Sequence, residues 1–425
     1  MMAAALKIMQ RIDGLAKISD EPGKITRTFA SSAMRRANQL VAKWMRAAGM
    51  KIRMDVVGNL TGHYDGTKSD AEILLLGSHL DTVRNAGKFD GPLGVILAVA
   101  CVENLRRKKI RLPFAIEVIS FADEEGVRYQ TAYLGSKVLA GCFDQKDLQR
   151  KDADGISMRN AIKNFGGNPA RLQSARLSPN NLLGYIETHI EQGPVLEEEK
   201  CAVGIVTAIA GQTRVRTRFI GSAGHAGTTP MDLRKDALCA AAEFVLAVEN
   251  LARKISGLVA TVGEISAKPG ASNVIPGEVH LTLDVRHKND SVRKPACLTL
   301  EKMAFRIARR RKIRLDYEVV HETAAVNCSE NFSRLLGEAV KRRQKKLIQL
   351  SSGAGHDAAI MAKITPSAML FVRCKNGVSH HPDESVKIED VQIAFDVMNS
   401  FLQSLAKKHE GFRNGKVIAK PSRSW

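Results

Sequence analysis

The sequence predicts an α/β protein: a largely parallel sheet with helices on both faces, carrying a smaller α+β domain inserted into the chain. Two observations point there. "EILLLGS" (72–78) and "FAIEVIS" (114–120) are apolar over most of their length, and the helical pattern "PLGVILAVACVENLRRKK" (92–109) lies between them. Continuously apolar strands joined by a helix belong to a sheet covered on both sides. From about residue 213 the pattern becomes amphipathic and runs β-α-β-β-α-β, the order of a ferredoxin-like unit.

Each element has its own signal. Met34, Ala37, Val41, Trp44 and Ala48 recur at helical spacing and Gly49 supplies a stop. Strand-like runs follow around 53–57 and 60–64. In the inserted domain, "RVRTRFIG" (214–221) sets Val215, Thr217 and Phe219 on one side and three arginines on the other. A helix over 236–253, strands over 257–266 and 278–286, a helix over about 291–310 and a strand over 312–320 complete it. The chain then returns to strand and helix patterning with "SAMLFV" (367–372) and an amphipathic stretch over 389–408. The polar tail after His409 is expected to be loose. The expected division is 1–212 and 326–425 for the larger domain, with 213–325 inserted.

Composition narrows the class. At 425 residues the chain exceeds the usual size of one domain, and 44% hydrophobic with 25% charged residues is the profile of a soluble globular protein. No apolar run approaches the roughly 20 residues of a membrane span, and the first residues carry too short an apolar core for a secretory signal. Seven scattered cysteines without a CxxC pair imply reduced thiols and a cytoplasmic protein. The net charge of +20 collects in runs at 106–111, 308–314 and 341–346. Aromatics are only 5% and do not interleave with those runs, which argues against nucleic acid as a partner and for solvated helix ends.

Both buried strands end in polar residues, Ser78-His79-Leu80-Asp81 and Asp123-Glu124-Glu125. Ligands bind at the carboxyl ends of strands in open α/β sheets, so the two clusters are expected to converge. Histidine and carboxylate groups at such positions (His79, Asp90, Glu125, His189, His380) are the donor types that hold a pair of divalent ions. Asp90 opens the helix after the first strand and can face His79. Asp81, two residues beyond His79 on an extended chain, points the same way and can orient the imidazole. Glu124 and Glu125 are adjacent and point apart, so one can hold metal while the other serves as a base.

At these residues the sequence resembles the hydantoinase/carbamoylase branch of the di-zinc aminoacylase–carboxypeptidase superfamily. The resemblance runs almost end to end through "GSHLDTV", "GKFDGPLGV", "DEEGVRY", "LGSKVLAG", "HIEQGPVLE", "AIAGQTR", "AGHAGTTPM", "NVIPGEV", "DVRH", "SGAGHDA" and "GVSHHPDE". It implies a mixed, exopeptidase-like sheet, an inserted domain serving as lid and dimerisation element, and hydrolysis of a linear C–N bond in N-carbamoyl amino acids or related ureido acids, with allantoate as the alternative substrate and an N-acyl amino acid or peptide after it. The reading from a different class is a basic, non-catalytic binding protein. His79, Asp90 and His189 would hold one divalent ion; Asp90, Glu125 and His380 the other. Zinc is the expected metal, with manganese, cobalt or nickel as alternatives. Glu124 would be the base acting on a metal-bridging water, and His225 would reach the partner subunit's site in a homodimer to stabilise the oxyanion. Gln212, Asn273, Arg286, Gly353 and Gly355 would bind substrate. The branch usually has one histidine after the serine of "GVSHHPDE"; here His381 follows His380 and could replace or assist it. Taken singly, these residues also have bland readings: a lone strand-end histidine is commonly structural, "DEE" can be a solvated turn, and Arg286 a surface cation. His63, His280, His287, His321, His356 and His409 are read as structural and the cysteines as small buried hydrophobes.

Overall fold

The computed structural model of the chain describes residues 2–413. The chain gathers into two units: Met1–Thr207, Cys328–Leu350 and His356–Trp425 form one, Ala208–Asn327 and Ser351–Gly355 the other. The changeovers fall a few residues from those expected, and the glycine-containing segment Ser351–Gly355 groups with the second unit, a placement the local sequence pattern does not signal. The helix Ile388–Arg413 continues past His409, and the rest of the tail expected to be loose lies outside the described residues.

The larger unit is built on a mixed sheet in the order Lys51–Met54, Leu60–Tyr64, Ala115–Phe121, Ile73–His79, Leu182–Ile190, Ser367–Val372, Val203–Ile209. Its four central strands pair in parallel, and the outer pairings are antiparallel. Alternation explains the burial. Leu74, Leu76, Ile116, Val118, Ile186, Leu370 and Val372 join one apolar core, which also takes residues from the helices Ala3–Ala16, Ser32–Ala47, Pro92–Arg107, Glu330–Lys341 and Ile388–Arg413. Leu75, Phe121, Tyr185, Met369 and Phe371 point to the opposite face and are buried there as well. The helix Pro92–Arg107 begins with proline at its first turn, where the missing N–H costs nothing, and is buried almost continuously from Pro92 to Leu105. Histidine 79 ends the strand Ile73–His79, and His189 sits one residue from the end of Leu182–Ile190.

Two local expectations need correcting. The first strand is Lys51–Met54, not 53–57. The Asp55 carboxylate accepts the N–H groups of Val57, Gly58 and Asn59 at 2.9, 3.0 and 3.0 Å and folds the chain into a turn there. The strand Leu182–Ile190 has no counterpart in the pattern reading, because Glu187, Thr188 and His189 break its apolar run.

The second unit is a four-stranded antiparallel sheet ordered Arg314–Thr323, Gly211–Ile220, Glu278–His287, Val259–Lys268. Val215 and Phe219 face a core shared with the helices Ala237–Lys254 and Asp290–Arg310, while Arg214 and Arg216 are exposed. Asp236 caps the first helix by accepting the N–H groups of Leu238 and Cys239 at 2.9 and 3.0 Å. Arg106 and Arg107, Arg309 and Arg310, and Lys341 each lie in the last turn of a helix, where cations complement the carbonyl end. Among the described residues no helix is long and apolar enough to cross a membrane.

Gly77, inside the strand that delivers His79, passes so close to its neighbour that an added Cβ would lie 2.0 Å from the Ile119 carbonyl oxygen. Gly77→Ala should lower unfolding stability by about 1–3 kcal/mol; urea unfolding checks this, and an unchanged midpoint would contradict the packing described.

Candidate metal centre

Five chain segments bring ligand-type side chains together at the carboxyl ends of the larger sheet's central strands. His79 and His189 come from neighbouring parallel strands. Asp90 precedes the helix Pro92–Arg107, Glu124 and Glu125 follow the strand Ala115–Phe121, and His380 lies beyond Ser367–Val372. Gly91 makes the Asp90 turn possible: its φ is +82°, and a Cβ there would stand 2.5 Å from the His79 ring.

Asp90 is the common member. Its Oδ1 is 3.1 Å from His189 Nε2 and 3.7 Å from His79 Nε2. Its Oδ2 is 3.2 Å from His380 Nε2, which lies 3.5 Å from Glu125 Oε1. Two donor groups therefore share one carboxylate, His79–Asp90–His189 and Asp90–Glu125–His380, with the ligand atoms of each within 4.8 Å of one another. A third group, His79–Glu124–Glu125, overlaps them. Glu124 Oε2 stands 3.9 Å from His79 Nε2.

The donor set fits divalent cations. His79 Nδ1 is 3.0 Å from the Asp81 carbonyl and His189 Nδ1 is 3.0 Å from the Ile190 carbonyl. Each Nδ1 thus carries a proton donated to main chain, which leaves Nε2 of each ring directed at Asp90. His189 Nε2 is buried, and Asp90 Oδ1 faces it at 3.1 Å. Imidazole nitrogen with carboxylate oxygen suits zinc and its first-row neighbours.

Electrostatics point the same way. Burial would raise the Asp90 pKa, but His189, His380 and His79 hold it well below the usual carboxylate range. Burial, then Glu125, Asp357, Asp81 and Asp90, push Glu124 well above it. Burial and Asp90 raise Glu125 to about 8 against the pull of His380. Burial works against the charged form of His189, yet Asp90 lifts it to about 9; the Asp90 hydrogen bond likewise lifts His380 to about 9. Metal-free, the cluster satisfies its acids with protons and imidazolium groups.

Several details differ from sequence reasoning or go beyond it. Asp81 meets His79 chiefly through its carbonyl; its carboxylate accepts the N–H groups of Glu124 and Glu125 at 3.2 and 3.0 Å and so holds the two glutamates in place. His381 Nδ1 turns to Asp383 at 3.5 Å, while His380 faces Asp90. His356, read as structural, is buried with its ring centroid 4.6 Å from that of His189, and forms a further donor group with Glu187 and His189. Glu187, two residues before His189 on one strand and hence on its face, could have been found by alternation. Gln192, Ser379 and Glu384, which contact Asp90, carry no such signal.

The expected substrate residues lie in the second unit. Arg286 and Gln212 are register partners on adjacent strands, and both bond Asp284. Arg286 Nη1 also donates to the Gly353 carbonyl at 2.7 Å, in the short segment that holds Gly355. Asp284, unassigned from sequence, thus occupies the guanidinium fork. His225 is exposed on a two-residue strand paired with Val274–Ile275, and the Ala226 N–H donates to the Asn273 carbonyl at 2.9 Å.

Cation uptake by metal-free protein must displace protons from His189 and His380. Titrating zinc into unbuffered protein near pH 7.5 should release protons, and affinity should rise with pH toward about 9. Uptake without proton release would contradict the assigned protonation.

The family model described as Peptidase family M20/M25/M40 matches residues 75–404. A probable allantoate deiminase of Oryza sativa subsp. japonica is 41% identical, over 93% of this chain and 87% of the relative. The N-carbamoyl-L-amino acid amidohydrolase of Geobacillus stearothermophilus is 40% identical, over 94% and 98%. The crystal structure of a hydantoinase/carbamoylase family amidase from Burkholderia multivorans superposes with a TM-score of 0.90 at 31% identity, covering 95% and 98%.

Proposed function

Because the chain belongs to peptidase family M20/M25/M40 and to its hydantoinase/carbamoylase branch, we propose that it is a metal-dependent amidohydrolase cleaving the linear C–N bond of an N-carbamoyl amino acid or related ureido acid. The observation that carries this reading is the Asp90 carboxylate shared by two donor groups with Glu124 beside them. His79, Asp90 and His189 would hold one divalent ion, and Asp90, Glu125 and His380 the other; zinc fits best, with manganese, cobalt and nickel as alternatives. When bound, such a pair lowers the pKa of a water toward neutrality and polarises a carbonyl.

The chain's own residues do the rest. Glu124, buried and held through its main-chain N–H by Asp81, takes a proton from the attacking water. As the C–N bond breaks, Glu124 returns that proton to the leaving nitrogen. His225 Nδ1 accepts the Gly227 N–H at 3.1 Å, which leaves the ring proton on Nε2 as a donor for the oxyanion. Arg286, released from Asp284, offers its planar fork to a substrate carboxylate, with Gln212, Asn273 and the Gly353–Gly355 backbone beside it. The second unit serves as lid, and a homodimer supplies His225 to the partner's site. With an N-carbamoyl amino acid, the products are the amino acid, carbon dioxide and ammonia. All seven cysteines are free, which supports a reducing, cytoplasmic setting.

Allantoate is the second reading, favoured by the similar identity of relatives with either name. Ammonia release measured over allantoate, N-carbamoyl-L-amino acids and N-carbamoyl-β-alanine tests both. Turnover of one of these is expected, and turnover of none would reject the class. On the preferred substrate, Glu124→Gln should keep its metal yet lose about 10²–10⁴-fold in kcat; near-normal turnover by a metal-loaded variant would remove the base assignment.

A further inference from the structure

The two donor groups are supported unequally. His79 and His189 belong to central strands and are buried. His380 lies in a loop with φ +57°, and its side chain is 47% exposed. A ligand on such a loop keeps its aim only if neighbours hold the segment.

Two residues of that loop do so, and both grip Asp90. Ser379, immediately before His380, donates its hydroxyl to Asp90 Oδ2 at 2.6 Å and accepts Gln192 Nε2 at 3.0 Å. Gln192 also donates to the same Oδ2 at 2.7 Å. On the other side of His380, the buried Glu384 carboxylate accepts the N–H groups of Phe89 and Asp90 through Oε1, at 2.6 and 3.2 Å. The loop is therefore pinned to the Asp90 side chain before His380 and to the Asp90 main chain after it. The bonds to the side chain also hold Oδ2 on the His380 side, leaving Oδ1 to His79 and His189.

We propose that Ser379 and Glu384 are positioning residues that lock the His380 loop onto Asp90 and thereby set the affinity of the cation site formed by Asp90, Glu125 and His380, leaving the site of His79, Asp90 and His189 nearly untouched. This rests on the reading that Asp90 serves two cations. Losing a group that orients a ligand typically costs 10–100-fold in metal affinity, and here the cost falls on one site. Gln192 keeps its own bond to Oδ2, so removing the Ser379 hydroxyl should give the lower end of that range.

The test is cobalt(II) binding by equilibrium dialysis, with the visible d–d spectrum recorded at each step, on full-length wild type, Ser379→Ala, Glu384→Ala and Glu384→Gln. Wild type should take up two ions. Ser379→Ala and Glu384→Ala should each weaken one ion about 10–100-fold and keep the other within about twofold. Glu384→Gln, which retains an acceptor oxygen for the two N–H groups, should bind both ions more nearly as wild type does. Two ions held at wild-type affinity in both alanine variants, or equal weakening of both ions, would overturn the proposal. If Glu384→Ala fails to fold, Ser379→Ala decides alone by the same criteria. A wild-type protein that takes up one ion would overturn the two-cation reading, and this inference with it.

Discussion

A crowd of buried carboxylates at the end of a parallel sheet is the constraint on which the rest of this structure depends. Asp81, Asp123 and Glu124 are buried within a few residues of two strand ends, Asp90 is buried just before the helix Pro92–Arg107, and Glu187 and Asp357 are buried too. Burial raises the pKa of Asp123, Glu124, Glu187 and Asp357. Such a cluster persists only if protons or cations offset its charge. The imidazoles around Asp90 do part of this work, and the rings of His79 and His189, oriented by main-chain acceptors, direct Nε2 toward Asp90. Stability and chemistry therefore meet at one carboxylate.

The packing serves that carboxylate. Parallel pairing brings His79 and His189 side by side, and the deeply buried helix Pro92–Arg107, capped by Gly91, follows directly after Asp90. Asp81 spends its carboxylate on the Glu124 and Glu125 main chain, which ties the second strand end to the first. The fully buried Arg27 bonds the Leu80 carbonyl at 2.9 Å, and its main chain exchanges hydrogen bonds with Thr82. The loop between His79 and Asp90 is thereby clamped from below.

Much of this was legible in the sequence. The apolar strands, the covering helix and the ferredoxin-like order follow from period and turn residues alone, and the acids and histidines at strand ends marked the place. The strand Leu182–Ile190 escaped detection because Glu187, Thr188 and His189 interrupt the apolar run that would have revealed it. Gln192, Ser379 and Glu384 escaped for another reason. Each acts by hydrogen bonds to residues brought close only by folding, such as Glu384 to Asp90 across 294 positions, and no local period encodes that contact. Asp284, two residues before Arg286 on one strand face, was open to the same alternation argument as Glu187. His381 shows the same limit: adjacency to His380 left the choice open, and the loop conformation separates them.

The most direct test of the shared carboxylate is anomalous diffraction from crystals of the zinc-loaded protein. Two peaks about 3.5–4 Å apart on either side of Asp90 are expected, one toward His79 and His189, the other toward Glu125 and His380. A single peak, or a pair without Asp90 between them, would contradict it.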